Sequence, residues 1–441
     1  MTITDRIALF IAENSLLEPH EKVILAVSGG KDSMLMMRVF HDLGISCIVA
    51  HCNFKLREEA SDLDEELVRS YAQHLGLPYY VNHFNTSQEA EEQGMSIQMV
   101  ARELRYAWFE ELSQEQSCQK IAIAQHQNDH IETVMLNLTR STGLQGLLGI
   151  PVKRGKIIRP LLGISAAEVL QTVEQLEIPY RDDQSNFSTK YARNKIRLEI
   201  IPKFKEIQEN FEKTMIQNIK HFEESMQFIH RHVEDLRANL FVYQNNQVMI
   251  SRHRIKEYIQ DSYLLFELFK PYGFQKNILK ELQEVFDRPM GQLFESTSYL
   301  LLLNRDQLIL KERSIVDRDG YTILDLFEPI SIGNLSLSFD FTMEFNKQLP
   351  KEYAQVDFDK LRFPLQLRYW KPADVFYPLG MTGKKKVSDY FIQQKINRFE
   401  KEAIPILCNA DGEIIWVVGY RLDNRFKVTE NTKKVLTLVF N

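Results

Sequence analysis

Short apolar runs, separated by polar stretches with helical spacing, dominate the first two hundred residues. Val23-Ile24-Leu25-Ala26-Val27 is an unbroken, partly β-branched run, the pattern of a strand buried on both faces. It enters Ser28-Gly29-Gly30, where two glycines permit a tight turn, and residues 34–40 then read as a helix. Runs at 45–50, 79–84, 120–124 and 156–161 read as further strands, with helices at 61–75 and 96–112 between them. Strands alternating with helices predict an α/β domain built on a doubly wound parallel sheet over residues 1–203. Residues 204–240 are rich in Lys, Glu and Gln with apolar positions at helical spacing, and 264–269 and 278–286 continue the pattern. A β-hairpin follows within 291–310, which predicts a small helical α+β domain over 204–311. Residues 314–351 alternate like an antiparallel sheet and open a β-rich C-terminal domain over 312–441.

A chain of 441 residues is too long for one typical core, in keeping with several domains. With 44% apolar and 26% charged residues it is neither disordered nor fibrous. The longest apolar cluster, residues 7–12, is far too short to cross a bilayer, so no membrane partner is expected. Cys47, Cys52, Cys118 and Cys408 form no C-x-x-C and no zinc spacing, which suits a reducing cytoplasm. The net charge of −6 speaks against a nucleic-acid partner until its distribution is considered. Residues 360–441 hold 15 Lys and Arg against 8 Asp and Glu. A basic module on an acidic body suggests a polyanion contact, a solvated basic face being the alternative. Lys384, Lys385, Lys386 and Arg425 are the candidate phosphate contacts, with Tyr390 and Trp416 as neighbouring aromatics able to stack on bases.

Parallel sheets bind ligands beyond the carboxyl ends of their strands, so the residues after each run matter most. After the first run, a glycine turn and a helix N-terminus aim backbone amides and a positive dipole end at one point, a phosphate site. It is not a Walker A loop, because Leu25 and Asp32 occupy positions that need Gly and Ser/Thr, and no G-x-G-x-x-G is present. After the fourth run comes Gln125-His126-Gln127-Asn128-Asp129-His130-Ile131-Glu132-Thr133. Asp129 and Glu132, three apart, share one helical face; acids that only complement the helix dipole are the alternative. Arg102 and Arg105 repeat the spacing with opposite charge.

The string Ser28-Gly29-Gly30-Lys31-Asp32-Ser33 resembles the PP-loop of the ATP pyrophosphatase superfamily. Further blocks follow in order: His51-x-Asn-x-x-Leu-Arg57, Ala101-Arg-x-x-Arg-Tyr106, His126-x-x-Asp-x-x-Glu-Thr133 and Arg140-Ser-x-Gly143-x-x-Gly146-Leu-x-Gly149. With Arg159-Pro-Leu-Leu162, Asp183-x-Ser-Asn186 and Arg193-Asn-x-x-Arg197, they are similar to the tRNA(Ile)-lysidine synthetase family over residues 20–203. The last module resembles the same family's C-terminal domain. Two departures stand out: Phe54 where a second histidine is common, which leaves His51 as the candidate there, and Glu58 where a glycine is common.

The resemblance implies a C–N ligase. ATP adenylates O2 of the wobble cytidine of tRNA(Ile) with a CAU anticodon, and free L-lysine then displaces AMP. It implies ATP contacts from Ser28, Gly29, Gly30, Lys31, Asp32, Ser33 and His51, with Asp32 as Mg²⁺ ligand. Asp129 and Glu132 suit the lysine ammonium group and its proton; Arg102 and Arg105 suit charge neutralisation in catalysis and Arg193 and Arg197 the tRNA, although the sequence does not separate adenylate from tRNA contacts among these four arginines. Another PP-loop tRNA-modifying enzyme (a thiolase or an amide ligase) and a catalytically silent tRNA-binding protein are the alternatives. The lack of C-x-x-C and of a glutaminase cysteine weighs against the first, and the intact loop against the second. Self-association into a homodimer is left open.

Overall fold

The computed structural model describes all residues except 57–58, 183–191, 289–290, 314–319, 327, 333–334, 343–344, 347–348 and 441. Arg57, Glu58 and the Asp183–Asn186 motif therefore lie outside the described residues. The chain divides into two compact units, Met1–His230 and Arg231–Asn441.

The first unit opens with α1 (Ile3–Glu13), started by a reciprocal capping box between Thr2 and Asp5. Then β1 (Val23–Ala26), α2 (Lys31–Asp42), β2 (Cys47–Asn53), α3 (Glu59–His74) and β3 (Tyr79–His83) alternate. They are followed by α4 (Thr86–Gln93), α5 (Ile97–Glu115), β4 (Lys120–Ile123), α6 (Gln127–Leu138) and α7 (Leu144–Leu147). The hairpin β5 (Lys153–Arg154) and β6 (Ile157–Ile158) and the helix α8 (Ala166–Gln175) complete the sheet layer. Strand order is β3-β2-β1-β4-β6-β5, parallel except for β5. The chain winds outward from β1 to β3 and returns to β4, so the order reverses between β1 and β4. Parallel sheets open a ligand crevice at that point. Val23, Ile24 and Leu25 are fully buried because helices cover both faces of the sheet. The run at 156–161 yields only a two-residue strand: Arg159 N–H turns back to Val152 O at 3.0 Å, and Pro160 has no N–H to extend the ladder.

Beyond α8 lies α9 (Ala192–Lys195), which passes through a π-helical stretch at Ile196–Ile200 into α10 (Ile201–Ile207) and the long α11 (Phe211–Leu240). Phe211, Met215 and Ile216 pack on Ile131, Ile196 and Ile201, and the first compact unit extends to His230.

In the second unit, β7 (Phe241–Gln244) and β8 (Gln247–Ser251) form a hairpin not anticipated from the sequence. After α12 (Arg252–Ile255), α13 (Ser262–Phe269) and α14 (Lys276–Val285) come β9 (Leu293–Glu295), β10 (Tyr299–Leu303) and β11 (Gln307–Glu312). These strands make one antiparallel sheet ordered β7-β8-β11-β10-β9. The remainder carries β12 (Tyr321–Ile323), β13 (Ile330–Ile332), β14 (Leu335–Thr342), β15 (Tyr353–Asp357), β16 (Leu365–Tyr369), β17 (Val375–Phe376) and β18 (Lys385–Lys386). The helices α15 (Val387–Gln393) and α16 (Arg398–Ala403) precede β19 (Pro405–Cys408), β20 (Ile414–Val417), β21 (Arg421–Leu422) and β22 (Val435–Phe440). Sheets β12-β16-β19-β20-β21 and β13-β14-β22-β15 share one core containing Leu367, Leu407, Trp416, Val356, Leu436 and Leu438. Among the described residues no helix is long and apolar enough to cross a membrane.

Candidate active site

The turn after β1 is shaped for an anion. Gly29 sits at φ +93°, a conformation that costs a side-chain-bearing residue, and its carbonyl accepts Arg181 N–H at 3.1 Å. Gly30 caps α2 without a side chain, so no capping oxygen covers the first-turn amides of Lys31 and Asp32. Ser33 holds the turn together: its buried Oγ donates to Gly30 O at 2.9 Å and accepts Ser28 N–H at 3.1 Å. The Lys31 ammonium lies 3.7 Å from Asp182.

A cavity of about 190 Å³ opens beside the turn, at the carboxyl ends of β1, β2 and β4. Ala26, Ala50, Phe109 and Ile123 give it an apolar back, and Ser28, Asp32, Ser33 and Arg105 a polar rim. Phe54 forms one wall, stacked on Phe84 at 5.4 Å, with the Arg105 guanidinium 5.2 Å from its ring. The loop bearing Phe54 is fixed by buried Asn53, which donates to Glu65 at 2.9 Å and Asp62 at 3.1 Å and accepts Lys55 N–H at 3.1 Å. The site thus has room for a flat base and, next to it, donors for phosphates.

His51, expected among the ATP contacts, does not line this cavity. Side chains alternate along β2, so Ala50 and Cys52 face the cavity while His51 faces the other side. Its Nδ1 is 2.9 Å from Val27 O, which props the end of β1, and burial pushes its pKa down. Phe54, read from sequence only as a departure, is the residue that reaches the cavity. Cys52 also lines it, and burial pushes its thiol up to about 12. Arg102 lies outside the cavity, its guanidinium 5.0 Å from the Tyr106 ring.

A line of polar side chains runs from the turn to α6. Asp32 Oδ1 is buried without a hydrogen bond, 3.6 Å from His126 Nε2; His126 Nδ1, likewise buried without one, lies 3.5 Å from Asp129 Oδ2. Burial and, less strongly, the Asp129 charge raise the Asp32 pKa, against the opposing pull of His126. A buried carboxylate oxygen with nothing to accept from fits a cation. Among the described residues no ready cluster of three ligating side chains exists, so a Mg²⁺ here would draw its other ligands from phosphate and water. His126 was not singled out from sequence, although its place three residues before Asp129 at a helix start was the available signal.

Asp129 and Glu132 do share a face of α6, but arginines already occupy it. Glu132 is fully buried, and its Oε2 accepts Arg193 Nε at 2.8 Å and Arg197 Nη2 at 3.1 Å. Its Oε1 accepts Arg197 Nε at 2.5 Å. Asp129 Oδ1 accepts Arg193 Nη2 at 2.9 Å, and its Oδ2 accepts the His126 backbone N–H at 3.0 Å. The family resemblance implies the carboxylates for lysine and these two arginines for tRNA; the structure joins the four into one network. Glu132 has no surface left for an ammonium group in this conformation, whereas the Asp129 side chain keeps 15% of its surface.

In the second unit Lys384 and Lys386 are exposed, and Lys385 donates to Gln393. Arg425, a candidate phosphate contact, pairs with fully buried Asp423 at 2.9 Å and with Glu413 at 2.5 Å, and lies over Tyr377. Tyr390 and Trp416 are buried at 1% exposure and belong to the core, correcting the expectation of stacking surfaces there.

Residues 1–204 match the family model described as a PP-loop domain, 243–313 the TilS substrate binding domain and 365–438 the TilS substrate C-terminal domain. The chain is 38% identical to a tRNA(Ile)-lysidine synthase of Parabacteroides distasonis, over 98% of this chain and 99% of that one. It is 35% identical to one of Bacteroides thetaiotaomicron over 98% and 99% of the two chains, and 30% identical to one of Clostridium acetobutylicum over 97% of each. The likeness extends from the glycine turn at the switch point through both segments of the second unit, and on that evidence the chain belongs to the tRNA(Ile)-lysidine synthase family.

Proposed function

We propose that this chain forms lysidine on tRNA(Ile), the product its relatives are named for, using ATP. The observation that carries the reading is the open glycine turn beside a cavity with an aromatic wall, continued by the line Asp32, His126, Asp129. The adenine base fits the apolar back, and the phosphates lie on the amides at the start of α2 with Lys31 beside them. Asp32 would hold Mg²⁺, which offsets phosphate charge when bound.

In the first step O2 of the wobble cytidine attacks the α-phosphorus, the bond to the β-phosphate oxygen breaks, and pyrophosphate leaves. Arg105 at the cavity rim offsets charge developing there. In the second, the neutral ε-amine of free lysine attacks C2 of the base, the C2–O2 bond breaks, and AMP leaves. The amine must shed a proton, and Asp129, the less buried carboxylate of the pair, is placed to take it. Glu132, Arg193 and Arg197 act together as a clamp that fixes Asp129. Lys384 and Lys386 in the second unit supply tRNA phosphate contacts. Cys52, the thiol in the cavity, stays protonated and is a poor sulfur nucleophile, which disfavours thiolation.

Incubation with unmodified tRNA(Ile), ATP, Mg²⁺ and labelled lysine, followed by nucleoside analysis, tests this directly. The expected result is a lysine-bearing cytidine with one AMP and one pyrophosphate released per label. Pyrophosphate release driven by a sulfur donor or ammonia and not by lysine would refute it.

A further inference from the structure

Arg159 presents an unusual combination. It is 6% exposed, yet no carboxylate among the described residues pairs with it. Its Nε donates to Gln125 Oε1 at 2.6 Å and its Nη1 to Pro151 O at 2.7 Å, both neutral acceptors. A buried cation without a counter-ion is costly, and most other arginines of this unit have one: Arg6, Arg69, Arg181, Arg193 and Arg197 all pair with acids. Among the described residues Arg102, Arg105, Arg140 and Arg154 share the lack of an acidic partner.

Arg102 and Arg154 both lie close enough to Arg159 to act on its charge. Arg105 rims the nucleotide cavity, and Arg102 stands one helical turn before it on α5. In the β5–β6 ribbon Arg154 faces Ile157, and Arg159 bonds back to Val152, so Arg154 and Arg159 project from the same face. Burial, with Arg102 and Arg154 as nearby positive charges, pushes the Arg159 pKa down, although Tyr106 pulls the other way. The neighbouring Lys156 differs, since Glu110 neutralises it at 2.5 Å.

We propose that Arg102, Arg154 and Arg159 form a track for the RNA phosphates flanking the base presented to the cavity. The inference rests on the tRNA reading above and extends it to the first unit. A small anion would call for an enclosed site, whereas Arg102 and Arg154 are exposed and all three arginines lie outside the cavity. A base that enters beside Arg105 carries its backbone past the adjoining turn of α5, which puts phosphate where the uncompensated charge is. Arg159, held by Gln125 at the end of β4, supplies the rigid member of the track.

The test is tRNA(Ile) affinity across a salt series for the full-length protein carrying Arg102→Ala with Arg154→Ala, both at exposed positions. Each lost phosphate contact should lower the log–log salt slope by about 0.7 and weaken binding roughly fivefold at about 0.1 M salt. In Arg154→Ala alone, at a position with no assigned part in the chemistry, the KM values for ATP and lysine should stay within about twofold. Arg154→Glu, on the ribbon alone, should change the slope in the same direction by more, which covers any disturbance of Tyr106 by the Arg102 change. An unaltered affinity and slope in both variants, with wild type binding normally, would overturn the track. So would a raised lysine or ATP KM with unchanged tRNA affinity, the result of a small-anion site. Wild type that binds no tRNA(Ile) would instead bring down the functional reading and the track with it.

Discussion

Glu132→Gln preserves the shape of a fully buried side chain and removes its charge. Three arginine N–H groups converge on its two oxygens, at 2.5, 2.8 and 3.1 Å. Removing one partner of a buried ion pair costs about 3–5 kcal/mol. Here the loss is smaller, because the arginine side chains are a little over a third exposed and each also reaches Asp129. The amide also retains a carbonyl that still accepts one bond. About 2 kcal/mol remains, or roughly 4–8 °C in Tm for a unit of this size. Thermal unfolding reads the first quantity and steady-state kinetics with lysine and ATP varied separately reads the second. If Glu132 is a clamp, its loss should raise both KM values together, while Asp129→Asn should raise the lysine KM selectively and lower kcat. An unchanged Tm with a selective rise of about tenfold in the lysine KM for Glu132→Gln would refute the reasoning and return Glu132 to the substrate.

Burial pushes the His130 pKa down to about 4, and its Nδ1 accepts Ile150 N–H at 2.9 Å, so the ring is neutral in the fold. The unfolded chain binds the proton first, so this stability is whole above about pH 6.5 and is lost as pH falls toward 4, about 3 kcal/mol in all. Urea unfolding at stepped pH should show that loss, and His130→Gln should flatten it. Gly149→Ala would set a Cβ 2.7 Å from His130 Nδ1 at a residue with φ +64°, and should destabilise by about 2–3 kcal/mol in the same assay. Replacing Lys384, Lys385 and Lys386 together by Ala should weaken tRNA binding and flatten its salt dependence, with the ATP KM unchanged; an identical salt slope would reduce the run to a solvated turn.

The parallel sheet was legible because strands buried on both faces leave unbroken apolar runs, and four of the five predicted strands lie within a few residues of β1 to β4. The glycine turn was legible because only glycine tolerates the backbone of Gly29. The hairpin at β7 and β8 had a signal that was passed over: Asn245 and Asn246, both at positive φ, suit a tight two-residue turn. His51 could have been placed by strand alternation, since its neighbours Ala50 and Cys52 face the cavity. The pairing of Glu132 with Arg193 and Arg197 had no such signal. It joins residues some sixty positions apart, and their charges alone were equally compatible with separate roles. Composition likewise does not separate a stacking aromatic from a core one, and Tyr390 and Trp416 turned out to be core.

The strand β22 lies between β14 and β15 in its sheet and pairs with both. β14 ends at Thr342 and β22 begins at Val435, so the intervening chain must be made before that sheet has its centre. At about 5–20 residues per second, a ribosome leaves β14 without its partner for roughly 5–20 s. For that interval Phe339 and Phe341 stand on a strand with one open edge. A newly made chain is therefore most exposed to chaperones, proteases and its own copies late in synthesis, after the PP-loop unit has emerged and can already be folded. Slowing translation between the codons for residues 342 and 435 should lengthen that exposure and lower the soluble yield without altering the finished protein.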